Sequence, residues 1–183
     1  MDPAKVDGAL LTHAHIDHSG GLPRLIKQGY KGPVYCTPAS ADLLGLLLPD
    51  SGYLQEEEAR YANKRGYTRH QPALPLYTEQ DARATLRQFE SFGYDRLKEI
   101  VPGIKLRFAR AGHILGSAIC EFELVSSKQR VVFTGDLGRY AAPILKDPER
   151  IEHATTVIAE STYGDRTHGD VKPMDALAKA VSE

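Results

Sequence analysis

Cysteine is scarce in this chain: among 183 residues only Cys36 and Cys120 occur, each in an apolar stretch. Two thiols so placed exclude the disulfide framework of a small secreted domain. They read as buried free thiols of a protein kept in a reducing, cytoplasmic compartment. An excess of charge is missing too. The formal net charge is −1, so no overall basic field draws in nucleic acid, and only a local basic strip remains open. No apolar run is long enough to span a membrane. No N-terminal stretch has the basic start and apolar core of a signal peptide. Internal repeats and low-complexity linkers are absent. What is present is ordinary for a globular protein, 42% apolar residues over the length of one domain or of one domain plus a fragment.

Histidine is the residue that is concentrated. Three of the seven fall within six positions, in Leu10-Leu11-Thr12-His13-Ala14-His15-Ile16-Asp17-His18, between an apolar run and Ser19-Gly20-Gly21. This reads as a buried strand that ends in a donor-bearing loop. Neutral imidazole and carboxylate are the ligands that zinc prefers. Extended geometry turns His13 and His15 to one side, while Asp17 and His18 follow the bend and can face a second point. A chance cluster of surface histidines is the rival reading, and its position at a strand end argues against it. The pattern His-x-His-x-Asp-His resembles the signature of the metallo-β-lactamase superfamily. That resemblance implies an α/β fold, the αββα sandwich, with a two-metal hydrolase site along one edge and further ligands, one His and one Asp, from later strand ends.

Along the chain, residues 6–12 read as a central strand, and Gly20-Gly21-Leu22-Pro23 opens a helix that Gly29 ends. Residues 33–37 form a short strand. Pro38 then starts an apolar helix expected to stop at Pro49. Residues 53–88 change character and read as a helical excursion, with Thr78 as N-cap and Asp81 at the capping-box position. Lys64, Arg65, Arg69 and His70 make a basic cluster there, read first as a solvated face and second as a contact for a phosphate backbone. His70 reads as a surface residue.

Strand patterns resume after Gln88. Residues 104–109 alternate, and 119–125 with 130–134 read as a hairpin. Two residues at strand ends stand out, His113 in Ala111-Gly112-His113-Ile114-Leu115-Gly116-Ser117-Ala118 and Asp136 in Thr134-Gly135-Asp136-Leu137-Gly138-Arg139. Alone, each would read as a hydrogen-bonded His or a turn Asp. Following the first cluster in this order, they complete the expected ligand set. Residues 155–159 read as another buried strand, ending in Glu160-Ser161-Thr162-Tyr163-Gly164-Asp165-Arg166, and residues 172–183 begin a helix.

The motifs at 111–118, 135–139 and 160–166 resemble the β-CASP branch of the superfamily, which contains nucleases of RNA and DNA, and the last motif resembles the RNA-processing members more. The resemblance implies a zinc-dependent phosphodiester hydrolase, a ribonuclease acting on single-stranded RNA. His13, His15 and His113 would hold one zinc ion, Asp17 and His18 a second, and Asp136 both. Attack would come from hydroxide shared by the two metals. Asp17 and Glu160 are the carboxylates expected to serve the chemistry, Glu160 by orienting the proton donor. Its bland reading is a strand-end carboxylate capping a turn.

Against the family pattern, front strands and the rear of the fold are missing. The expectation is therefore a partial sandwich over residues 1–171, with 172–183 leading to an absent β-CASP domain. A weakly active chain and a homodimer through uncovered edges are expected with it. The rivals are a small-molecule ester or thioester hydrolase of the same superfamily and a non-catalytic metal-binding fragment.

Overall fold

Two sheets lie face to face, and helices cover the outer face of the first. The computed structural model describes residues 2–165 and 173–182. The first sheet is parallel, in the order β1 (Ala9–Leu10), β2 (Val34–Cys36), β3 (Phe89–Ser91). The second runs β4 (Lys98–Val101), β5 (Ile104–Arg110), β6 (Ala118–Leu124), β7 (Gln129–Phe133), β8 (Thr156–Ile158), antiparallel except for the parallel β7–β8 pair. The helices are α1 (Ile16–Ser19), α2 (Leu22–Lys27), α3 (Pro38–Arg65), α4 (Glu79–Thr85) and α5 (Pro173–Ser182).

Period-two alternation sorts the side chains into layers. Leu11, Val34 and Cys36 face the helices and pack with Leu22, Leu44, Leu48, Tyr77 and Ala82. Tyr35 and Leu10 face the other way and meet Leu106, Phe108, Ala118 and Cys120 between the sheets. At the N-terminal end of β1 these layers part around an apolar cleft of about 490 Å³ that includes Val6, Tyr35, Ile100 and Phe122. On the outer face of the second sheet, Arg107 binds the buried Glu121 at 2.5 Å, Asp95 at 2.8 Å and Glu149 at 2.9 Å. The helix layer and both sheets of the sandwich are thus present. Both cysteines are buried free thiols. Among the described residues no helix is long and apolar enough to cross a membrane.

Three sequence expectations need correction. The strand expected over 6–12 is two residues long and lies at the edge of its sheet among the described residues. Its pairing stops early because the Thr12 carbonyl accepts a bond from Ala118 N–H of the second sheet (2.8 Å). Pro49 does not end a helix: α3 runs through it for 28 residues and joins the charged segment expected to be separate. An interior proline costs about 3 kcal/mol or more. Here burial of Leu44, Leu48, Pro49 and Gly52 opposes that cost. Finally, β8 is exposed, Val157 by 58% and Ile158 by 47%: among the described residues it is an edge strand paired with β7, and neither of its faces is covered. An apolar run signals a strand and is silent on what covers it.

The structure also has β3, β4 and the helical turn α1, which the sequence reading did not place, and the remaining elements fall where the sequence puts them. Thr78 and Asp81 form both bonds of the capping box at α4. His70 is exposed, as are Lys64, Arg65 and Arg69. The helix expected over 172–183 is described as α5, with Lys172 and Glu183 outside the described residues. The expected boundary at 171–172 and Arg166 also lie outside them.

Helix α3 lies against the start of α4 at Gly52, where an added Cβ would sit 2.7 Å from the Glu79 nitrogen and the Thr78 oxygen. Gly52→Ala is expected to destabilise the fold by about 1–3 kcal/mol through overpacking. Gly45→Ala, with open space around it, should stabilise by roughly 0.5–1 kcal/mol. Denaturant unfolding of the two variants measures the contrast, and equal shifts would contradict the packing described.

Candidate metal centre

Three loops at the C-terminal ends of strands build the centre. The first leaves β1 in extended backbone, presents His13 and His15, and turns into α1, which carries Asp17 and His18. Ser19 Oγ fixes the turn by donating to the His15 carbonyl at 2.8 Å. The second follows β5. There the His113 and Ile114 N–H groups both donate to Ser117 Oγ, at 3.0 and 3.2 Å. The Gly116 carbonyl of this loop accepts from Thr37 Oγ1 (2.6 Å) and Ser40 Oγ (3.1 Å) at the start of α3. The third follows β7 and brings Asp136.

That third loop approaches both others more closely than a side chain allows. Gly135 has φ +56°, and a Cβ there would lie 2.6 Å from Thr12 Cβ; at Gly138 a Cβ would lie 1.7 Å from the Gly112 carbonyl oxygen. Glycine is required at both places. The approach lets Gly138 N–H donate to the Ala111 carbonyl at 2.8 Å.

His13 Nε2 and His113 Nε2 both point at His15 Nδ1, from 3.0 and 3.1 Å. One imidazole nitrogen has a single proton or a single lone pair to offer, so His15 Nδ1 cannot make a full hydrogen bond to both. Two donors about 2.0–2.1 Å from a tetrahedral ion lie roughly 3.3 Å apart, so the spacing suits a shared cation. Asp136 Oδ2 closes the group, 3.6 Å from both His13 Nε2 and His113 Nε2. The four donor atoms lie within 4.8 Å of one another. Asp136 Oδ1 faces the other way, 3.4 Å from His18 Nε2, which is 3.6 Å from Asp17 Oδ2. A Thr12 hydroxyl lies 3.0 Å from His13 Nδ1; when it accepts the proton of that nitrogen, Nε2 keeps its lone pair for a metal. Three imidazoles and a carboxylate fit a divalent metal by donor type and by spacing.

Electrostatics keep the centre ready for a cation. His13 is fully buried, and burial, reinforced by the neighbouring His18, lowers its pKa to about 4. It therefore remains a neutral ligand at neutral pH. Glu160 is held below the usual carboxylate range by the Thr162 side chain and then by Leu137 N–H, which donates to Glu160 Oε1 at 2.7 Å. Glu160 thus ties the end of β8 to the residue after Asp136. Asp17 is the open member, its side chain 76% exposed.

His13, His15, His113 and Asp136 thus converge on one point, and Asp17 and His18 stand beside it around the second oxygen of Asp136. Thr12 and Ser117 were not singled out from sequence. A hydroxyl residue adjacent to a ligand was the available signal for Thr12. Ser117 lies four residues from His113, and only the fold brings them into contact.

The profile of the metallo-beta-lactamase superfamily matches residues 1–175. The transcription termination factor FttA of Methanosarcina mazei is 39% identical over 163 residues, 88% of this chain and 23% of that protein. Ribonuclease TTHA0252 of Thermus thermophilus is 36% identical over 100% of this chain and 39% of its own length. The chain therefore spans about a quarter to two fifths of these relatives. Among solved structures, a Cronobacter sakazakii metallo-beta-lactamase with a HARLDQ motif, an S60 mutant, aligns with a TM-score of 0.54 at 14% identity, over 98% of this chain and 64% of that one, a likeness of fold.

Two measurements test the centre. Thr12→Val, which removes the hydroxyl that holds His13 Nδ1, is expected to weaken divalent-metal binding by about 10- to 100-fold without unfolding the chain; isothermal titration would show it, and unchanged affinity would remove Thr12 from the site. The second concerns pH. Unfolded, His13 takes a proton near its ordinary 6.5, whereas folded it refuses one down to about 4. The unfolded state binds more protons in that window, so stability present above pH 6.5 is lost as pH falls toward 4, on the order of 3 kcal/mol. Urea unfolding of the metal-free chain across this range should show the loss, with a shallower slope in His13→Gln.

Proposed function

Because the chain belongs to the metallo-β-lactamase superfamily, we propose that it is the metal-binding part of a β-CASP-type ribonuclease, a zinc-dependent hydrolase of phosphodiester bonds in single-stranded RNA. In this reading His13, His15 and His113 hold one zinc ion, Asp17 and His18 hold another, and Asp136 serves both. The observation that carries it is the orientation of Asp136, with Oδ2 toward His13 and His113 and Oδ1 toward His18. The RNA substrate is supported by the likeness to a ribonuclease and to transcription termination factors.

When bound, the metals supply an activated water at neutral pH and neutralise charge on the phosphoryl oxygens. The chain's residues do the rest. Buried His13 and the Thr12 hydroxyl fix the floor of the site, so the donors need no rearrangement. Asp17, open to solvent beside His18, accepts a proton from the incoming water. Glu160 is a positioning residue: it holds Leu137 N–H and with it the Asp136 loop, and in the whole protein it orients the group that protonates the leaving oxygen. In that protein, residues 1–171 form the hydrolase domain and 172–183 lead toward a β-CASP domain. The setting is cytoplasmic, and self-association through sheet edges gives a homodimer.

The test pairs metal content with turnover. Plasma emission should find two zinc ions per chain, one in His18→Ala, and neither in His13→Ala combined with Asp136→Ala. Zinc-loaded chain should cleave a labelled single-stranded RNA, slowly, and Asp136→Ala should lower the rate at least about 10²-fold. Turnover of a thioester with RNA left intact would select a small-molecule hydrolase instead, and two bound zinc ions with no turnover at all would make the chain a non-catalytic metal-binding fragment.

A further inference from the structure

The far end of α3 has features that the metal centre does not use. Residues 59–78 contain no carboxylate, but they hold Arg60, Lys64, Arg65, Arg69 and His70 together with Tyr61 and Tyr67. Structure makes a surface of this stretch. Gly66 ends α3 in the left-handed conformation, and the chain folds back along the helix. Asn63 clamps it there: its Nδ2 donates to the Ala73 carbonyl (2.9 Å) and its Oδ1 accepts from Ala73 N–H (2.7 Å). Gln55 Oε1 adds a bond from Leu76 N–H at 3.1 Å. The loop so pinned sets Tyr67 beside Tyr61, ring centroids 6.2 Å apart and planes at 58°, and the Arg65 guanidinium lies 5.4 Å over the Tyr61 ring. Both rings remain open to water, Tyr61 by 54% and Tyr67 by 62%. Of the acids one turn earlier, Glu57 is paired with Arg60 and Glu56 accepts Glu79 N–H, while Glu58 is exposed and lines one cleft with Tyr67.

Exposed aromatic faces among cations match an unpaired nucleic-acid strand, whose bases offer faces to stack on and whose phosphates offer charge. A duplex hides those faces. We propose that this end of α3 is a second binding surface for single-stranded RNA, remote from the metals, with Tyr61 and Tyr67 stacking on bases and Lys64, Arg65 and Arg69 meeting phosphates. The inference rests on the RNA reading above and adds a site to it. Helix α3 begins where Thr37 and Ser40 hold the His113 loop, and its 28 residues reach up to about 42 Å from there. A single strand of about 13 nucleotides covers that distance even at the stacked spacing of roughly 3.4 Å each.

Binding, read by fluorescence anisotropy without reference to cleavage, is the test. The zinc-loaded chain is titrated into a labelled single strand of that length. Tyr61→Ala and Tyr67→Ala should each weaken binding roughly 5-fold or more, Tyr61→Phe should retain it, and Lys64→Ala with Arg65→Ala should flatten the dependence on salt. Unfolding midpoints matching the wild type separate these losses from misfolding. Affinity unchanged in the tyrosine variants, no binding at all, or equal competition by a duplex of the same sequence overturns the proposal, as does equal competition by polyaspartate, which would mark a surface for acidic protein. Loss of binding in the variants with no cleavage by the wild type would support this surface and overturn the hydrolase reading, so the two fail separately.

Discussion

The contact between the Asp136 loop and its two neighbours is the constraint on which the metal-binding edge depends. A carboxylate can stand among three imidazoles only if its backbone comes within van der Waals range of the loops that carry them. Gly135 meets Thr12, and Gly138 meets the Gly112 carbonyl, at separations that leave no room for a β-carbon. Each sheet contributes. His13 and His15 follow a strand of the first, and His113 and Asp136 follow strands of the second, so the relative placement of the sheets fixes the donor spacing. The aromatic and aliphatic layer formed by Tyr35, Phe92, Leu106 and Phe108 holds that placement. Packing between the sheets and coordination at their edge are therefore one problem.

Around this contact, the polar groups of the site are arranged so that each bond leaves the right atom free. Thr12 occupies one nitrogen of His13 and leaves the other; Ser117 takes two backbone N–H groups and leaves the His113 ring unencumbered; Glu160 takes Leu137 N–H and leaves both oxygens of Asp136 for the histidines. Burial acts in the same direction, since a neutral imidazole is a ligand and a protonated one is not.

Much of this was legible in the sequence, for a physical reason. Metal donors at strand ends follow apolar runs and precede glycines, so the cluster of His13, His15, Asp17 and His18 could be picked out by local context, whereas His113 and Asp136 stood out only in the light of that cluster. Their convergence on one point could not, because it depends on register between sheets, and it was the family resemblance that grouped them. Most of the strand and helix order was recoverable from periodicity, and the capping box from Thr78 and Asp81, whereas the short β3, β4 and α1 were not. Pro49 misled because its backbone penalty is local and visible, whereas the burial of Leu44, Leu48 and Gly52 that outweighs it is tertiary. The 6–12 segment misled because a hydrogen bond to the other sheet, from Ala118 to Thr12, ends its pairing. The Thr12 hydroxyl offered only its place beside a ligand, and that of Ser117 offered no local pattern.

Exposure across the centre is graded. Asp17 is three-quarters open, His18 one-third, Asp136 and His113 slightly less, and His13 is sealed. An ion arriving from solvent would meet the Asp17 carboxylate first, then His18 and Asp136, and last the imidazoles at the floor. The floor of the centre is therefore approached past its outer residues, and a change at Asp17 or His18 alters the way in without touching the donors at the bottom.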